Sequence, residues 1–418
     1  MNPIIAEVLE RFLRYVKIHT ASSDEPDAGH PSTACQWDLL RLLEEELRDL
    51  GLSEINLSDA GVLTAVLPAN VDGEAGSIPT IAYLAHVDTY PGTPGKDVKP
   101  NIIENYDGLD IVLPGTGKLL RVADNQDLAN YKGETVITTD GTTLLGADDK
   151  AGVAAIMTLL SHLTTNADIP RCRLKVAFTP DEEIGQGTAN FPPLDEFGAT
   201  AAYTIDGGPE GEVENETFSA DTAIVKLIGK DVHPGYAKNK MVSAVRAAAH
   251  LIDLLPRDAL PESTEGMEGY LHPLQINGDV NEVVVPFLVR DFELAALKDW
   301  EARLEGLLRQ TEEAFPGLRC EMTVQHSYKN MRYYLDKEPR AATLALEAVK
   351  RAGMVPVLQA IRGGTDGSRL SEMGLPTPNL FGGGRNFHSV EEWIPLSAMG
   401  KAVHMLIELT RLWASEKV

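Results

Sequence analysis

The chain has little cysteine and contains no long apolar run. Its three cysteines, Cys35, Cys172 and Cys320, are far apart in sequence and form no CxxC pair. This argues against a disulfide framework or a cysteine-rich metal site and suits a reducing compartment. No segment approaches the ~20 apolar residues of a membrane-spanning helix, and the first residues show helical periodicity rather than a signal peptide. We therefore expect a cytoplasmic protein without a membrane partner.

Positive charge is also scarce. The 418 residues include 62 Asp and Glu against 37 Lys and Arg, which gives a formal net charge of −25. Such a surface repels phosphate groups, so we expect no nucleic-acid partner. Most of the surplus carboxylates serve solubility, but some are available to bind cations.

The order of predicted elements indicates two domains. Helices and strands alternate up to about residue 216 and again after 327, whereas residues 217–327 predict the order βαββαβ, a ferredoxin-like pattern. We predict an α/β fold with two parts. The first is a catalytic α/β domain with a mixed central sheet, residues 1–216 and 328–418. The second is an inserted ferredoxin-like lid domain, residues 217–327.

Three predicted apolar strands lead to acidic or histidine side chains at their C-terminal ends. In open α/β sheets, ligands bind at that edge. A histidine with a carboxylate two residues later faces the same side of a strand and can be a metal ligand with the acid that orients it. The side chains in question are His86 and Asp88 after the first strand, Glu182 and Glu183 after the second, and Asp206 after the third.

Two adjacent aspartates, Asp148 and Asp149, open a further predicted helix in the segment LGADDKAG. Acids are common at a helix start, which is the structural explanation for them. Two neighbouring anions nevertheless repel each other unless a cation lies between them or one takes up a proton. His388, in the segment NFHSVEEW near the C-terminal end, is a further candidate ligand.

Two histidines and several carboxylates suit zinc, and also manganese or cobalt. Five ligands with one shared carboxylate would form two sites of three protein ligands each. A bridged metal pair can activate a water and polarise a carbonyl group. Such a site also needs a general base, which a spare glutamate beside a ligand glutamate would supply.

The ordered motifs AHVD, GADDKAG, TPDEEIG, IDGG and NFHSVEEW resemble those of the dizinc aminoacylase/carboxypeptidase superfamily of metallopeptidases. Within it, the sequence resembles the peptidase T family of tripeptide aminopeptidases over nearly its whole length. The narrower resemblance lies in segments 102–106, 138–141 and 261–269. It implies two zinc ions and a catalytic domain with an inserted lid.

The resemblance also implies a role for each matching residue. Asp88 would hold the imidazole of the first histidine, and Glu182 would be the general base. The bond between Asp148 and Asp149 would be cis. The metal ligands would be His86 and Asp206 at the first zinc, Glu183 and His388 at the second, and Asp148 as the bridge.

Three lid or lid-proximal residues are further candidates. His233, in VHPG, matches a family histidine that helps to stabilise the oxyanion, and Arg290, in VRDF, matches a lid arginine that contacts substrate. Arg362, in RGGTDG, either lines the site or holds a turn. Each has a structural alternative, namely a turn histidine, an ion pair with a neighbouring aspartate, or a turn arginine.

We therefore expect a cytoplasmic dizinc aminopeptidase that removes the N-terminal residue from tripeptides. One alternative is another amide hydrolase of the superfamily: a dipeptidase, a carboxypeptidase or an N-acyl-amino-acid deacylase. Another is a relative that binds peptide or metal without turnover. The sequence leaves open the native metal, the side-chain preference, the selection of tripeptide length, the lid state, and whether the protein is a monomer or a homodimer.

Overall fold

The computed structural model describes residues 2–25, 29–71 and 78–417. The chain divides into two compact units: the first is Met1–Asn215, Tyr334–Gln359 and Thr365–Val418, and the second is Glu216–Tyr333 and Ala360–Gly364. The predicted insert, 217–327, lies inside the second unit. That unit also contains residues 328–333 and the late segment Ala360–Gly364. Within it, the backbone N–H of Phe218 donates to the carbonyl of Ile361 at 3.2 Å.

The described residues form α-helices in both units. In chain order they are α1 (Pro3–Tyr15), α2 (Gln36–Asp49), α3 (Ala147–Thr165), α4 (Leu194–Phe197), α5 (Ala244–Asp253), α6 (Leu294–Ala314), α7 (Arg332–Leu335), α8 (Arg340–Arg351), α9 (Asp366–Met373) and α10 (Leu396–Trp413).

The β-strands of the described residues belong to four sheets. In chain order they are β1 (Ser53–Leu57), β2 (Leu63–Leu67), β3 (Thr80–His86), β4 (Asn101–Ile103), β5 (Ile111–Val112), β6 (Leu119–Leu120), β7 (Val136–Thr138), β8 (Arg173–Thr179), β9 (Ala201–Gly207), β10 (Glu212–Thr217), β11 (Ser219–Ile228), β12 (Tyr270–Pro273), β13 (Asn277–Gly278), β14 (Glu282–Asp291), β15 (Arg319–Tyr328), β16 (Val357–Ile361), β17 (Asn379–Phe381) and β18 (Trp393–Pro395).

The first unit is built on a mixed eight-stranded sheet with the order β1-β2-β8-β3-β9-β17-β10-β16. Strands β8, β3 and β9 run parallel to one another, whereas β2 is antiparallel to β8. Strand β3 is almost wholly buried, as its apolar run predicts for a central strand. Helix α3 packs on β3 and β9 and contacts α1 and α10.

The second unit has the βαββαβ order, from β11, α5, β12, β14, α6 and β15, with β13 as a short addition beside β14. The order in its sheet is β12-β14-β11-β15, and each neighbouring pair is antiparallel. Alternate residues of β11, among them Ala223, Val225 and Leu227, are buried against α5 and α6. The predicted fold class, a mixed α/β domain with a ferredoxin-like insert, is confirmed.

The stretch between β3 and α3 contains small β elements. Strands β5 and β6 pair as a hairpin, and β4 and β7 join β18 in a three-stranded sheet. Tyr106, Leu113 and Trp393 belong to a local apolar cluster there. None of the helices in the described part of the chain has both the length and the apolar composition needed to cross a bilayer.

Candidate metal centre

The central strands bring three of the predicted segments to one edge of the large sheet. His86 is the last residue of β3 and pairs in register with Thr179, the last residue of β8. The turn that follows β8 contains Glu182 and Glu183, while Asp206 lies near the end of β9. The side chains meet because parallel neighbouring strands finish at the same edge.

Asp148 lies between the two candidate histidines. Nε2 of His86 is 2.9 Å from Oδ1 of Asp148, and Nε2 of His388 is 3.2 Å from Oδ2. Nε2 of His86 is also 3.6 Å from Oδ1 of Asp206, and Nε2 of His388 is 2.8 Å from Oε2 of Glu183. The five predicted ligands thus form two groups that share Asp148.

Asp149 is close enough to be an alternative ligand, because one of its oxygens lies within 4.8 Å of donor atoms of His86 and Asp206. Its carboxylate, however, already accepts two backbone N–H groups: Oδ2 from His86 and Oδ1 from Gly152, each at 3.2 Å. These two hydrogen bonds favour Asp148 over Asp149 as the shared ligand. The peptide bond between Asp148 and Asp149 is cis, as expected.

Asp88 joins the first histidine to the acidic turn. Its Oδ1 is 3.2 Å from Nδ1 of His86 and also accepts the backbone N–H of Glu182 at 3.0 Å. Its Oδ2 accepts the backbone N–H of Glu183 at 3.2 Å. One buried carboxylate therefore orients a candidate ligand and the turn that carries the candidate base.

Burial and mutual repulsion raise the pKa of several of these acids. Burial, together with the charge of Asp148, raises the pKa of Glu183 and of Asp206 to about 7 each. Burial also raises the pKa of Glu182 well above its ordinary value. Burial would raise the pKa of Asp148 as well, but hydrogen bonds with His388 and His86 hold it below its usual range.

The residues present fit a pair of divalent cations. Oε1 of Glu183 is buried and has no hydrogen-bond partner within the described ranges, so it is free to coordinate an ion. Several carboxylates share a small volume with two imidazoles, and added positive charge would relieve the repulsion among the carboxylates. Imidazole and carboxylate together form the donor set that zinc, manganese and cobalt accept.

A cavity of about 410 Å³ opens beside this cluster within the first unit. Its lining includes Glu183 together with Asp24, Tyr90, Pro91, Gly92 and Ile184. The cluster is therefore accessible from solvent on the side of Glu183, as a site for a small substrate requires.

Glu392 was not among the predicted site residues, yet it shapes the segment before α3. Its Oε2 accepts the backbone N–H groups of Leu145 at 2.7 Å and Gly146 at 2.8 Å, and its Oε1 accepts that of Asp148 at 3.1 Å. The side chain comes from the same motif as His388. The sequence signal for this role was that Glu392 is a second consecutive glutamate and directly precedes Trp393, the apolar residue that begins β18.

Asp181, the first acid of the turn after β8, was also not predicted to have a role. It is fully buried, and its oxygens accept Nε2 of Gln36 and the backbone N–H of Ser32, each at 2.7 Å. Its φ of 62° is left-handed, a conformation that Asp tolerates better than most residues. Asp181 thus anchors the acidic turn to the start of α2.

His233 and Arg290 lie in the second unit. His233 is exposed, and its Nδ1 accepts the backbone N–H of Gly235 at 3.2 Å. Arg290 lies on β14, and its Nη1 donates to the carbonyls of Asp221 at 2.9 Å and Val289 at 3.0 Å. Their roles toward substrate remain predictions.

Arg362 is also part of the second unit. Its guanidinium donates to the carbonyls of Gly266 and Glu268 and to Oγ1 of Thr264, each at 2.8 Å. It also lies over the ring of Phe218 at 5.1 Å. These contacts agree with the turn-holding alternative for Arg362, and its contact with substrate remains a prediction.

Comparisons with known proteins give one family. The model of peptidase family M20/M25/M40 matches residues 128–411. A peptidase T of Geobacillus sp. (strain WCH70) is 44% identical over 408 residues, which are 97% of this chain and 98% of that protein.

Two solved structures share the fold. A tripeptidase from Staphylococcus aureus superposes with a TM-score of 0.77 at 23% identity over 99% of each chain. A dinuclear metal-binding M20 peptidase from Bacillus subtilis superposes with a TM-score of 0.66 at 15% identity over 99% of each chain.

Proposed function

This chain belongs to peptidase family M20/M25/M40, and from that premise we propose that it is a cytoplasmic dizinc aminopeptidase that removes the N-terminal residue from tripeptides. Its class as a metallo-aminopeptidase acting on peptides follows from the family and from the relatives named peptidase T. The tripeptide specificity, the pair of zinc ions and the cytoplasmic location are our proposals.

The observation that best supports a two-metal site is the position of Asp148. Each of its carboxylate oxygens faces a different histidine, at 2.9 Å and 3.2 Å, and each histidine has a further carboxylate beside it. We assign His86 and Asp206 to one ion and Glu183 and His388 to the other, with Asp148 shared. Two bound divalent ions would lower the pKa of a coordinated water and polarise the scissile carbonyl.

Glu182 is the proposed general base. Its carboxylate takes a proton from the attacking water and later delivers that proton to the leaving amine. Burial raises its pKa well above the ordinary value, and a carboxylate with a raised pKa is the stronger base once it is ionised. Asp88 holds the backbone of this turn through the N–H groups of Glu182 and Glu183, so the base has a fixed position.

We propose that the second unit, which contains the insert predicted at 217–327, is the lid. On the resemblance alone, His233 would stabilise the oxyanion, and Arg290 and Arg362 would contact the substrate. The cavity of about 410 Å³ beside the cluster suits a short peptide, whereas a net charge of −25 disfavours polyanionic substrates.

A peptide panel tests this function. The purified protein, reconstituted with zinc, manganese or cobalt, is given Leu-Gly-Ala, the matching di- and tetrapeptides, and N-acetyl-leucine. We expect fastest cleavage of the tripeptide, with free leucine and Gly-Ala as products. Release of alanine and Leu-Gly would indicate a carboxypeptidase, and a preference for N-acetyl-leucine would indicate a deacylase.

The matched control is Glu182→Gln, prepared in the same way. Contaminating peptidases would act equally in both preparations, so the activity assigned to this chain is the part that the variant loses. Metal-replete wild-type protein that binds Leu-Gly-Ala without cleaving it would establish the non-catalytic alternative.

A further inference from the structure

The aromatic ring of Tyr90 covers one face of His388. The two ring centroids are 4.2 Å apart and the ring planes differ by 7°, so the rings are stacked. Nε2 of His388 meanwhile faces Glu183 and Asp148. Tyr90 therefore contacts a candidate ligand on its flat face, while the edge of that ligand is directed at the candidate metal site.

The segment around His388 needs support from outside itself. His388 has a φ of 60° and Asn386 a φ of 55°, both in the left-handed region that is unfavourable for most residues other than glycine. The side chain of His388 is also 44% exposed, so core packing does not immobilise it. A conformation of this kind persists where neighbouring groups hold it.

The segment Tyr90–Thr93, which we term the clamp, supplies two such contacts. Besides the ring of Tyr90, Oγ1 of Thr93 donates a hydrogen bond to the carbonyl oxygen of His388 at 2.7 Å. The clamp thus holds both the ring and the backbone of His388. Gly92 makes room for it, because a Cβ at this position would lie 2.5 Å from Cε1 of Tyr90.

The two candidate histidines are therefore held in different ways. His86 ends a central strand, is buried, and has Asp88 at its Nδ1. His388 lies on a loop and has the clamp. Damage to the clamp should affect the site that contains His388 and leave the site that contains His86 largely intact.

We propose that Tyr90 is a positioning residue that sets the metal affinity of the site formed by His388 and Glu183. Tyr90 acts through His388 and does not itself coordinate the metal. The inference rests on the proposed two-metal function. It adds to that function a residue that distinguishes the two sites.

The test is a metal titration of the apoprotein, with Tyr90→Leu compared with Tyr90→Phe. Protein stripped with a chelator is titrated with Co²⁺ alone and followed by calorimetry and visible absorption. Wild type and Tyr90→Phe should bind two ions. Because partners that orient ligands are typically worth about 10–100-fold in metal affinity, Tyr90→Leu should weaken one site by roughly that factor and leave the other within about twofold.

A second pair of variants keeps the test independent of folding defects. Thr93→Val removes the donor to His388 while keeping the shape, and Thr93→Ser retains it; only Thr93→Val should weaken the same site. Gly92→Ala, which displaces the Tyr90 ring, should behave like Tyr90→Leu. Circular dichroism of each apoprotein identifies variants that have lost the fold.

Three results would overturn the inference. Tyr90→Leu could bind both ions as tightly as wild type, it could weaken both sites equally, or Tyr90→Phe could be as weak as Tyr90→Leu. A wild-type protein that binds a single ion would instead overturn the proposed two-metal function, and the inference with it. The wild-type titration therefore separates the two failures.

Discussion

Replacement of Asp88 by asparagine should disturb the candidate metal centre in a way that the hydrogen bonds specify. Oδ1 of Asp88 serves both Nδ1 of His86 and the backbone N–H of Glu182, whereas Oδ2 serves only the backbone N–H of Glu183. Asparagine has one acceptor oxygen and one NH₂ group. If the asparagine oxygen takes the place of Oδ1, the contacts with His86 and with the N–H of Glu182 are retained. The asparagine NH₂ group then takes the place of Oδ2, so the N–H of Glu183 faces a donor instead of an acceptor.

The magnitude follows from these contacts. A buried N–H group left without an acceptor costs about 1–3 kcal/mol. His86 is partly protected, because its Nδ1 also lies 3.1 Å from the carbonyl oxygen of Asp88 itself. The lost hydrogen bond should therefore disturb mainly the position of Glu183. At about 1.4 kcal/mol per tenfold change, metal affinity should fall by roughly 10–100-fold, which is the usual range for such partners.

The assay is zinc binding to the apoprotein in competition with a chromogenic chelator, followed by tripeptide hydrolysis at saturating zinc. Asp195→Asn is the matched control, because the same substitution on the exposed Asp195 leaves the candidate centre intact. If Asp88→Asn binds zinc within twofold of wild type, then Asp88 does not organise this site and the reasoning from its hydrogen bonds is wrong.

Three further predictions concern the same centre. Glu182→Gln should keep both metal ions, measured by elemental analysis, but lose about 10²–10⁴-fold in turnover, the usual contribution of a general base; unchanged turnover would remove Glu182 from that role. At pH 8, Glu392→Gln should weaken zinc binding because a backbone N–H of Leu145, Gly146 or Asp148 loses its acceptor. The neighbouring Glu391→Gln, at a side chain 25% exposed, should not weaken it, and equal effects of the two substitutions would contradict this role of Glu392. Burial raises the pKa of Glu183 from 4.5 and that of Asp206 from 3.8 to about 7 each in the metal-free protein. Their protonation therefore contributes fully to stability below these ordinary values, and the contribution is lost as the pH rises through about 7. Because zinc must displace these protons, the zinc-induced rise in melting temperature should be larger at pH 8 than at pH 5.5.

Much of the fold could be predicted because its signals are local. The apolar run of β3 identifies a central strand, and the βαββαβ order of the second unit lies in one continuous stretch. The edge that carries the candidate ligands was predictable as well, since parallel strands align their ends. Asp206 differs slightly from expectation: it lies within β9, which extends to Gly207, rather than after that strand.

The short elements of the first unit could not be predicted in the same way. Strands β10, β16 and β17 are brief and lack a clear alternation of apolar and polar residues. Their pairing is set by neighbours that are distant in sequence, as where β10 joins β17. Local propensity carries little information about such strands.

The residues that support the site are hidden in sequence for a related reason. Glu392 and Asp148 are 244 positions apart, and Thr93 and His388 are 295 apart. Their partners are backbone N–H and C=O groups, which every residue offers. Apart from the place of Glu392 directly before an apolar strand residue, no sequence pattern marks such a role before the chain is folded.

Anomalous scattering from zinc-loaded crystals would show whether two metal ions share Asp148. We predict two zinc peaks, one contacted by His86 and Asp206 and the other by Glu183 and His388, with one oxygen of Asp148 at each. A single peak, or a zinc ion bound by Asp149 in place of Asp148, would contradict it.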